Sequence, residues 1–330
     1  MVNCAVIGVG RLGAVHAENL IVNIPDAFVK TVVTSRKESA EKAARDFGIP
    51  YWTTNVKEVY EDESINAVII ASPTDMHAEL IVGAARHKKH IFVDKPITET
   101  VEQSDKVIEE IKKHKVICQV GFMRRFDPSY ADAKKRIVRG DIGKPIYYKG
   151  ISRDPGSPPE SYIKNSGGIF NDLCIHEYDM VRFLLNSEVK SVSTFGKVLI
   201  HPFMHKYEDV DQSISILEFK NDVFADIEGS RNSAYGYEAR GEIIGTEGMI
   251  HIGSIQNGKN IILANNKTYY DNIADFPTKF QDAFLLEMEH FIECIRNKTN
   301  PIVNEHDGKV ALEISEAALK SYKSGEKILI

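Results

Sequence analysis

Asn3-Cys4-Ala5-Val6-Ile7-Gly8-Val9-Gly10-Arg11-Leu12-Gly13 decides the fold of this chain. An apolar run leads directly into a Gly-x-Gly-x-x-Gly pattern, and helix-forming residues follow. Gly8 permits a tight turn from strand to helix, Gly10 lets the backbone approach phosphates, and Gly13 lets helix and strand pack closely. The helix N-terminus then attracts the pyrophosphate of a dinucleotide. The stretch therefore predicts a Rossmann site, the alternative being an ordinary glycine turn.

The composition is that of an ordinary soluble protein. The chain has 330 residues, of which 43% are hydrophobic and 27% charged, and its net charge is −6. This length allows two domains, and without a basic block nucleic acid is not an expected partner. No apolar run reaches membrane-spanning length, and because the first predicted strand begins close to Met1 we expect no signal peptide. The four scattered cysteines predict neither a zinc site nor a disulfide framework, so we expect a cytoplasmic protein.

Short apolar segments alternate with helical patterns over residues 1–121. This rhythm predicts an α/β Rossmann domain with a parallel sheet and right-handed crossovers. The predicted strands are Cys4–Ile7, Phe28–Thr34, Ala67–Ala71, Ile91–Val93 and Val116–Val120. The predicted helices are Ala14–Val22, Glu38–Phe47, Asp75–Arg86 and Val101–Lys113.

The rhythm changes after Gly121, and residues 122–330 predict an α+β domain with a mainly antiparallel, open-faced sheet. The predicted strands are Ile146–Ser152, Val189–Leu199, Asp211–Phe219, Val223–Ser230, Glu238–Ile244 and Met249–Ile252, with turns at Asn221-Asp222 and Asn257-Gly258. The predicted helices are Asp127–Arg139, Phe280–Arg296 and Glu305–Tyr322. An open sheet face needs a cover, so we expect a homo-oligomer, a dimer or tetramer, joined through this sheet.

Polar residues directly follow the predicted strand that ends at Ala71. They read Ser72-Pro73-Thr74-Asp75-Met76-His77. Ligands of such folds lie at the carboxyl ends of the strands, which favours a loop that touches the ribose or nicotinamide of the cofactor. The alternative is a helix cap, in which Thr74 or Asp75 accepts from backbone N–H groups.

A second motif, Asp94-Lys95-Pro96, follows the next predicted strand. Its lysine would face the cofactor at the carboxyl ends of the strands. Pro96 restricts the backbone of Lys95 to an extended form, which fixes where the side chain starts. The alternative is an ordinary surface lysine. The position at a strand end favours the functional interpretation.

A third motif lies in the second domain, after a loop rich in Gly, Ser and Pro over 154–168. If the chain is helical from Asn171 onward, Asp172, His176 and Asp179 share one helix face. A carboxylate one turn from a histidine can orient the imidazole as a general base. A surface His–Asp pair is the alternative. A metalloprotease site is rejected because Met180 stands where the second histidine of H-E-x-x-H would be.

These motifs, taken in order, resemble the glucose–fructose oxidoreductase/inositol dehydrogenase (Gfo/Idh/MocA) family. The resemblance covers essentially the whole chain and rests on Gly8-x-Gly10-x-x-Gly13, Ser72-Pro73-Thr74-x-x-x-His77, Asp94-Lys95-Pro96 and Gly167-Gly168-x-x-x-Asp172-x-x-x-His176. Within the family, the segments 119–127 and 152–155 are most similar to inositol 2-dehydrogenases.

The resemblance implies hydride transfer from a secondary hydroxyl of a cyclic polyol to nicotinamide. Lys95 would hydrogen-bond the reacting oxygen and favour the alkoxide, while His176 takes the proton and Asp172 orients it. The implied substrate contacts are these three residues and Arg125, Asp154, Asp179 and Tyr235. The implied cofactor contacts are Gly8, Gly10, Arg11, Leu12, Gly13, Thr34, Ser35, Arg36, Ser72, Pro73, Thr74, His77, Asp94 and Lys95. No metal is implied.

The end of the second predicted strand bears on the cofactor. NAD enzymes usually place an acidic residue there to hold the ribose 2′-hydroxyl, whereas this chain reads Thr34-Ser35-Arg36. The missing acid removes a repulsion against the 2′-phosphate of NADP, and Arg36 adds a phosphate contact. The sequence therefore predicts that NADP is preferred and NAD is possible. The alternative is that Arg36 is a solvated residue at the start of a helix.

Two other functions stay open. An enzyme of the same fold could act on a sugar, an anhydro-sugar or an amino-sugar. A protein of another class would bind the dinucleotide as a sensor without catalysis. The complete set of Lys95, Asp172 and His176 favours an enzyme.

Overall fold

The computed structural model describes residues 1–330, apart from the side chain of Lys259. In chain order the strands β1 to β15 are Val2–Ile7, Ala27–Val33, Tyr51–Thr53, Ala67–Ile70, His90–Asp94, Cys118–Gly121, Pro145–Arg153, Val189–Lys197, Gln212–Phe219, Phe224–Ser230, Glu238–Gly245, Met249–Ile252, Gln256–Ala264, Lys267–Asn272 and Ile328–Leu329. The α-helices α1 to α11 are Arg11–Glu18, Lys37–Phe47, Val56–Glu61, His77–Arg86, Val101–His114, Pro128–Arg139, Glu160–Ile163, Ile175–Leu185, Phe276–Lys279, Gln281–Asn297 and Glu305–Ser324. None of these described helices is long and apolar enough to cross a membrane.

The chain divides into two compact units. The first unit comprises Met1–Phe126 and Asp282–Val310, and the second comprises Asp127–Gln281 and Ala311–Ile330. The sequence predicted one boundary, at residue 121. The difference arises because α10 packs on the first sheet, where Phe291 shares a hydrophobic cluster with residues of β1, β2, β4 and β5. Apolar residues on a helix near the end of the chain do not reveal which sheet they cover.

The first unit contains a parallel sheet in the order β3-β2-β1-β4-β5-β6. The predicted Rossmann sheet is thus confirmed. The strand order reverses between β1 and β4, and ligands bind at the carboxyl ends of the strands beside such a reversal. Strand β4 is buried along its whole length, as expected of a parallel strand with both faces covered. Strand β3 and helix α3 were not predicted because both are too short to show a pattern.

The second unit contains a sheet in the order β12-β11-β7-β10-β9-β8-β15. The pair β7–β10 is parallel, and the other described pairs of this sheet are antiparallel, which confirms the predicted mainly antiparallel sheet. Helix α8 contacts β7 and β10 on one face. Along β9 buried and accessible residues alternate, as in a strand with one covered face and one open face.

The two predicted hairpin turns have different outcomes. The turn at Asn221-Asp222 is confirmed: it joins β9 to β10, and Asp222 has a φ of 65°. The turn at Asn257-Gly258 is wrong, because both residues lie inside β13. The chain turns instead at Asn265-Asn266, between β13 and β14, where φ is 53° and 57°. Two successive positive φ angles suit a type I′ turn, and asparagine tolerates them.

Candidate active site

The glycine turn of the first unit is shaped by close backbone contacts. Gly8 has a φ of +91°, and a Cβ atom there would lie 2.5 Å from the carbonyl oxygen of Ala71. A Cβ atom on Gly13 would lie 2.0 Å from the carbonyl oxygen of Gly8. A Cβ atom on Gly10 would meet no atom of the described residues within 4 Å. Two glycines therefore permit packing between β1, β4 and α1, and the third leaves open space at the helix start.

Helix α1 presents its N-terminus at this open space. It begins at Arg11, its N-cap residue Gly10 supplies no side-chain hydrogen bond, and its first turn contains no acidic residue. The first N–H groups of a helix have no partner inside the helix and carry a partial positive charge. The residues present therefore fit the pyrophosphate of a dinucleotide.

The loop after β4 is held by His77. This imidazole is 1% exposed, with Nδ1 2.9 Å from the carbonyl oxygen of Pro96 and Nε2 3.0 Å from that of Ser72. It therefore ties together two of the sequence motifs. The short 3₁₀ helix Thr74–Met76 and α4 show no side-chain cap in the described structure, so the helix-cap alternative finds no support.

The end of β5 is anchored to α1 by a residue that sequence analysis missed. His16 is fully buried, and its Nε2 donates to Asp94 Oδ1 at 3.0 Å. Asp94, predicted as a cofactor contact, thus fixes the strand end that carries Lys95. Lys95 itself is half-buried, and its peptide bond to Pro96 is cis. The only feature of the sequence that could have indicated this role is that His16 follows Gly13 by three residues.

A buried carboxyl group lies in the same part of the first unit. Glu287 on α10 is 1% exposed, and Gln119 Nε2 donates to its backbone oxygen at 2.7 Å. Burial raises the pKa of Glu287 well above its usual range, and the charge of Asp94 adds to this effect. Burial therefore favours the protonated, neutral form of this side chain. Sequence analysis missed Glu287 because it is far along the chain from the motifs of the first domain.

The end of β2 leaves both cofactor alternatives open. The hydroxyl of Thr34 donates to the backbone oxygen of Arg36 at 2.7 Å. Ser35 and Arg36 are exposed, and Arg36 is the N-cap residue of α2 without a side-chain cap bond. An exposed guanidinium suits a phosphate contact and a solvated residue equally well.

Arg125, predicted as a substrate contact, has structural partners within the first unit. It is 5% exposed, its Nη2 lies 3.0 Å from Asp307 Oδ1, and its Nη1 donates to the backbone oxygen of Ile302 at 2.6 Å. These bonds hold the first turn of α11 and the chain segment before it. Its predicted contact with substrate stays a prediction.

The third motif is helical, as predicted, but its first turn is wide. Residues Phe170–Cys174 form a π-helical turn that contains Asp172, and α8 continues from it with His176 as its second residue. His176 is 9% exposed and Asp179 is 1% exposed. Wide turns of this kind are frequent at functional sites. Glu177, between them, faces the sheet, where Tyr148 Oη donates to it at 3.2 Å.

Two predicted site carboxylates share one buried arginine. Arg231 is fully buried, with its Nη2 3.1 Å from Asp172 Oδ2 and its Nη1 3.5 Å from Asp154 Oδ2. The other oxygen of Asp172 accepts a hydrogen bond from Tyr162 Oη at 2.9 Å. Asp172 was expected to orient His176, and that role stays a prediction. Sequence analysis missed Arg231, which carries no local motif.

Asp209 braces the start of this helix. Its Oδ1 accepts from the N–H groups of Ile169 and Val210, both at 2.8 Å. A Cβ atom on Gly168, which has a φ of +78°, would lie 2.9 Å from the same oxygen. The glycine of the sequence motif therefore makes room for a carboxylate that the motif does not contain. Burial raises the pKa of Asp209, although the two N–H donors oppose the shift.

Tyr235, predicted as a substrate contact, hydrogen-bonds to charged residues of the sheet. Its side chain is exposed, and its hydroxyl accepts from Arg153 Nη1 at 2.8 Å and donates to Glu238. Arg153 also binds Glu228 through two hydrogen bonds on the open face of the sheet. The predicted contact of Tyr235 with substrate stays a prediction.

Comparison with known proteins gives first the class and then the family. Residues 2–122 match the family model described as the NAD-binding Rossmann fold of an oxidoreductase family, and residues 134–330 match its C-terminal alpha/beta domain. The protein is therefore an oxidoreductase with an NAD-binding domain. The chain belongs to the Gfo/Idh/MocA family, as the sequence motifs indicated.

Individual relatives are inositol dehydrogenases by name. The chain is 49% identical to scyllo-inositol 2-dehydrogenase (NAD(+)) of Bacillus subtilis, over 98% of this chain and 95% of the relative. It is 35% identical to myo-inositol 2-dehydrogenase of Thermotoga maritima, over 98% and 97%. A crystal structure of scyllo-inositol dehydrogenase from Lactobacillus casei with bound NAD(H) and scyllo-inositol superposes with a TM-score of 0.94 at 27% identity, over 100% of this chain and 99% of that one.

Proposed function

We propose that this protein is a dehydrogenase that oxidises a secondary hydroxyl of myo- or scyllo-inositol reversibly to a ketone. The observation that carries the proposal is the 49% identity, over nearly the whole chain, to a scyllo-inositol 2-dehydrogenase. The structure supports it with a glycine turn suited to a dinucleotide in the first unit and a helix bearing Asp172 and His176 in the second.

The proposed roles of the residues follow from their chemistry. Bound NAD supplies the hydride acceptor. The ammonium group of Lys95 hydrogen-bonds the reacting oxygen and stabilises negative charge as it forms there. The imidazole of His176 takes the hydroxyl proton, which a histidine can do near neutral pH. The carboxylate of Asp172 orients this imidazole. Asp172 and Asp154 also accept hydrogen bonds from other hydroxyl groups of the ring.

The choice of dinucleotide is the finer part of the proposal. The NADP preference predicted from Thr34-Ser35-Arg36 is not supported by the comparisons. One relative is named for NAD(+), and the structure from Lactobacillus casei contains NAD(H). We propose that NAD is the working cofactor and that the exposed Arg36 makes NADP a weaker alternative.

We also propose that a second copy of the chain covers the open sheet face of the second unit. Phe195 and Phe224 are 68% and 51% exposed on strands β8 and β10, and Met249 on β12 is 45% exposed. Large apolar side chains on one sheet face are typical of subunit interfaces. Sedimentation at micromolar concentration tests this, and a monomer would contradict it.

The activity is tested with the purified wild-type protein and a substrate panel. Reduction of NAD⁺ or NADP⁺ is followed with myo-, scyllo- and D-chiro-inositol, aldoses, anhydro-sugars and amino-sugars. We expect the highest kcat/KM with scyllo- or myo-inositol and NAD⁺. A higher kcat/KM with a sugar than with any inositol would show that the substrate is a sugar and would contradict the proposal. Cofactor binding without turnover of any compound would identify a dinucleotide sensor.

A further inference from the structure

The arginine between the two predicted site carboxylates is a fully buried cation of the second unit. Arg231 is 0% exposed, whereas Asp154 and Asp172 keep 22% and 14% of their side chains accessible. The carboxylates therefore reach the surface while the guanidinium lies behind them. A group in this position cannot contact a substrate directly, but it determines where both carboxylates stand.

We propose that Arg231 is a positioning residue that holds Asp154 and Asp172 at the spacing at which they recognise neighbouring hydroxyl groups of the substrate. This inference rests on the proposed function, because it assumes a polyhydroxylated substrate. It assigns to Arg231 no contact with the reacting atoms.

The sheet topology explains why these residues meet. Strands β7 and β10 run parallel, with Arg153 opposite Ser230. Asp154 directly follows β7 and Arg231 directly follows β10, so the parallel register brings both residues out at the same end of the two strands. The N–H of Asp154 donates to the backbone oxygen of Ser230 at 2.8 Å, which fixes this register beyond the strand ends.

The backbone of Arg231 is fixed as well. Its N–H donates to the backbone oxygen of Asp211 at 2.9 Å, and the side-chain amide of Asn232 donates to the same oxygen at 3.2 Å. The guanidinium then spans from the end of β10 to the wide helical turn that contains Asp172. The planar fork of arginine can bind two carboxylates at once, which the single ammonium group of lysine does less well.

The electrostatics favour a permanently charged Arg231. Burial alone would lower its pKa, but the carboxylates of Asp172, Asp154 and Asp209 raise it. A buried charge is costly unless it is paired, and removing one partner leaves the other charges uncompensated. Without Arg231, three carboxylates of the second unit would repel one another and move apart.

A purely structural ion pair is the competing explanation, and the variant Arg182→Gln provides a matched control. Arg182 is 7% exposed, and its Nε and Nη2 both donate to Glu188 at 2.8 Å. It lies on α8 and has no assigned role in the site. Its loss likewise removes a buried arginine that binds a carboxylate, although Glu188 is 46% exposed.

The experiment compares Arg231→Gln, Arg231→Lys and Arg182→Gln with the wild type. For Arg231→Gln we expect kcat/KM for the inositol substrate to fall about 100-fold, because misplaced hydrogen-bonding groups cost this much. We expect the Kd of NAD⁺ to stay within about twofold, and Arg231→Lys to recover about tenfold of the loss. Arg182→Gln should lose stability but keep kcat/KM within about twofold.

Wild-type kcat/KM in folded Arg231→Gln, or an equal loss in Arg182→Gln, would overturn the inference. A crystal structure of Arg231→Gln supplies a readout that does not need turnover. We expect the carboxylates of Asp154 and Asp172 to shift by about 1 Å or more. Unchanged carboxylates would overturn the inference, even if the wild type turned over no inositol and the proposed function itself had failed.

Discussion

The two units hold their candidate site residues with different kinds of contact. In the first unit the decisive contacts are made by backbone: glycines at a turn, the N–H groups of a helix start, and carbonyl oxygens around His77. In the second unit they are made by charged side chains, with Arg231 between Asp154 and Asp172. Backbone groups recognise phosphates, which every dinucleotide shares, whereas side chains must fit one arrangement of hydroxyl groups.

The largest expected effect tests whether both units carry chemistry. Lys95→Met and His176→Asn should each lower kcat about 100- to 10,000-fold, because each removes a group that handles the oxygen or its proton. Steady-state kinetics with NAD⁺ and inositol measures this, with folding checked by thermal unfolding.

His251→Asn is the matched control for His176→Asn, since His251 is 68% exposed at an edge strand of the second unit. It should keep wild-type kcat. Near-normal turnover in either Lys95→Met or His176→Asn would remove the role assigned to that residue.

The second prediction separates packing from recognition within the glycine turn. Gly13→Ala places a Cβ atom 2.0 Å from the Gly8 carbonyl oxygen, so the backbone must shift, and we expect a loss of about 2–3 kcal/mol in unfolding free energy. Gly10→Ala meets no atom within 4 Å and should leave the apo protein as stable as the wild type. It should nevertheless weaken NAD⁺ about tenfold, because the space beside Gly10 is where phosphates approach.

Denaturant unfolding and calorimetric titration of NAD⁺ distinguish these two effects. If Gly10→Ala bound NAD⁺ as tightly as the wild type, the phosphates would not approach the backbone at this residue.

The contrast between the units also explains how much the sequence could predict. Gly8, Gly10 and Gly13 act through local backbone geometry, so a short pattern was sufficient to predict the Rossmann fold, which is confirmed, and to suggest where its cofactor binds. Asp172 and His176 could be proposed together as site residues because one helix turn separates them in the sequence. The 59-residue separation of Arg231 from Asp172, and the 78-residue separation of His16 from Asp94, hide these pairs from any local pattern.

The third prediction concerns Glu287, a buried side-chain carboxyl group in the unit whose other decisive contacts are made by backbone. The pKa of Glu287 is raised by burial and by the charge of Asp94. Below about pH 4.5 the folded and unfolded chains both hold this proton, and the stabilisation is fully present. Above that pH the unfolded chain releases the proton first, so stability falls by about 1.4 kcal/mol per pH unit until the folded pKa is reached.

Glu287→Gln replaces this carboxyl group with an amide that does not titrate. The variant should therefore gain stability relative to the wild type as the pH rises from 4.5. Urea unfolding at several pH values measures the difference. Glu293→Gln, an exposed position on the same helix, should stay within about 0.5 kcal/mol of the wild type throughout. A constant difference between Glu287→Gln and the wild type would mean that Glu287 is not buried in its protonated form.

The smallest expected effect tests whether a side chain of the first unit, Arg36, recognises part of the dinucleotide. Arg36 is exposed, so its contact with the 2′-phosphate of NADP is worth at most about 1 kcal/mol, or about fivefold in affinity. Arg36→Ala should lower kcat/KM with NADP⁺ by at most that factor and leave kcat/KM with NAD⁺ unchanged. The NADP⁺ loss should shrink further in 0.5 M salt, since an exposed charge is screened. An equal loss with both cofactors would place Arg36 on the shared part of the dinucleotide, and the end of β2 would then not discriminate between them.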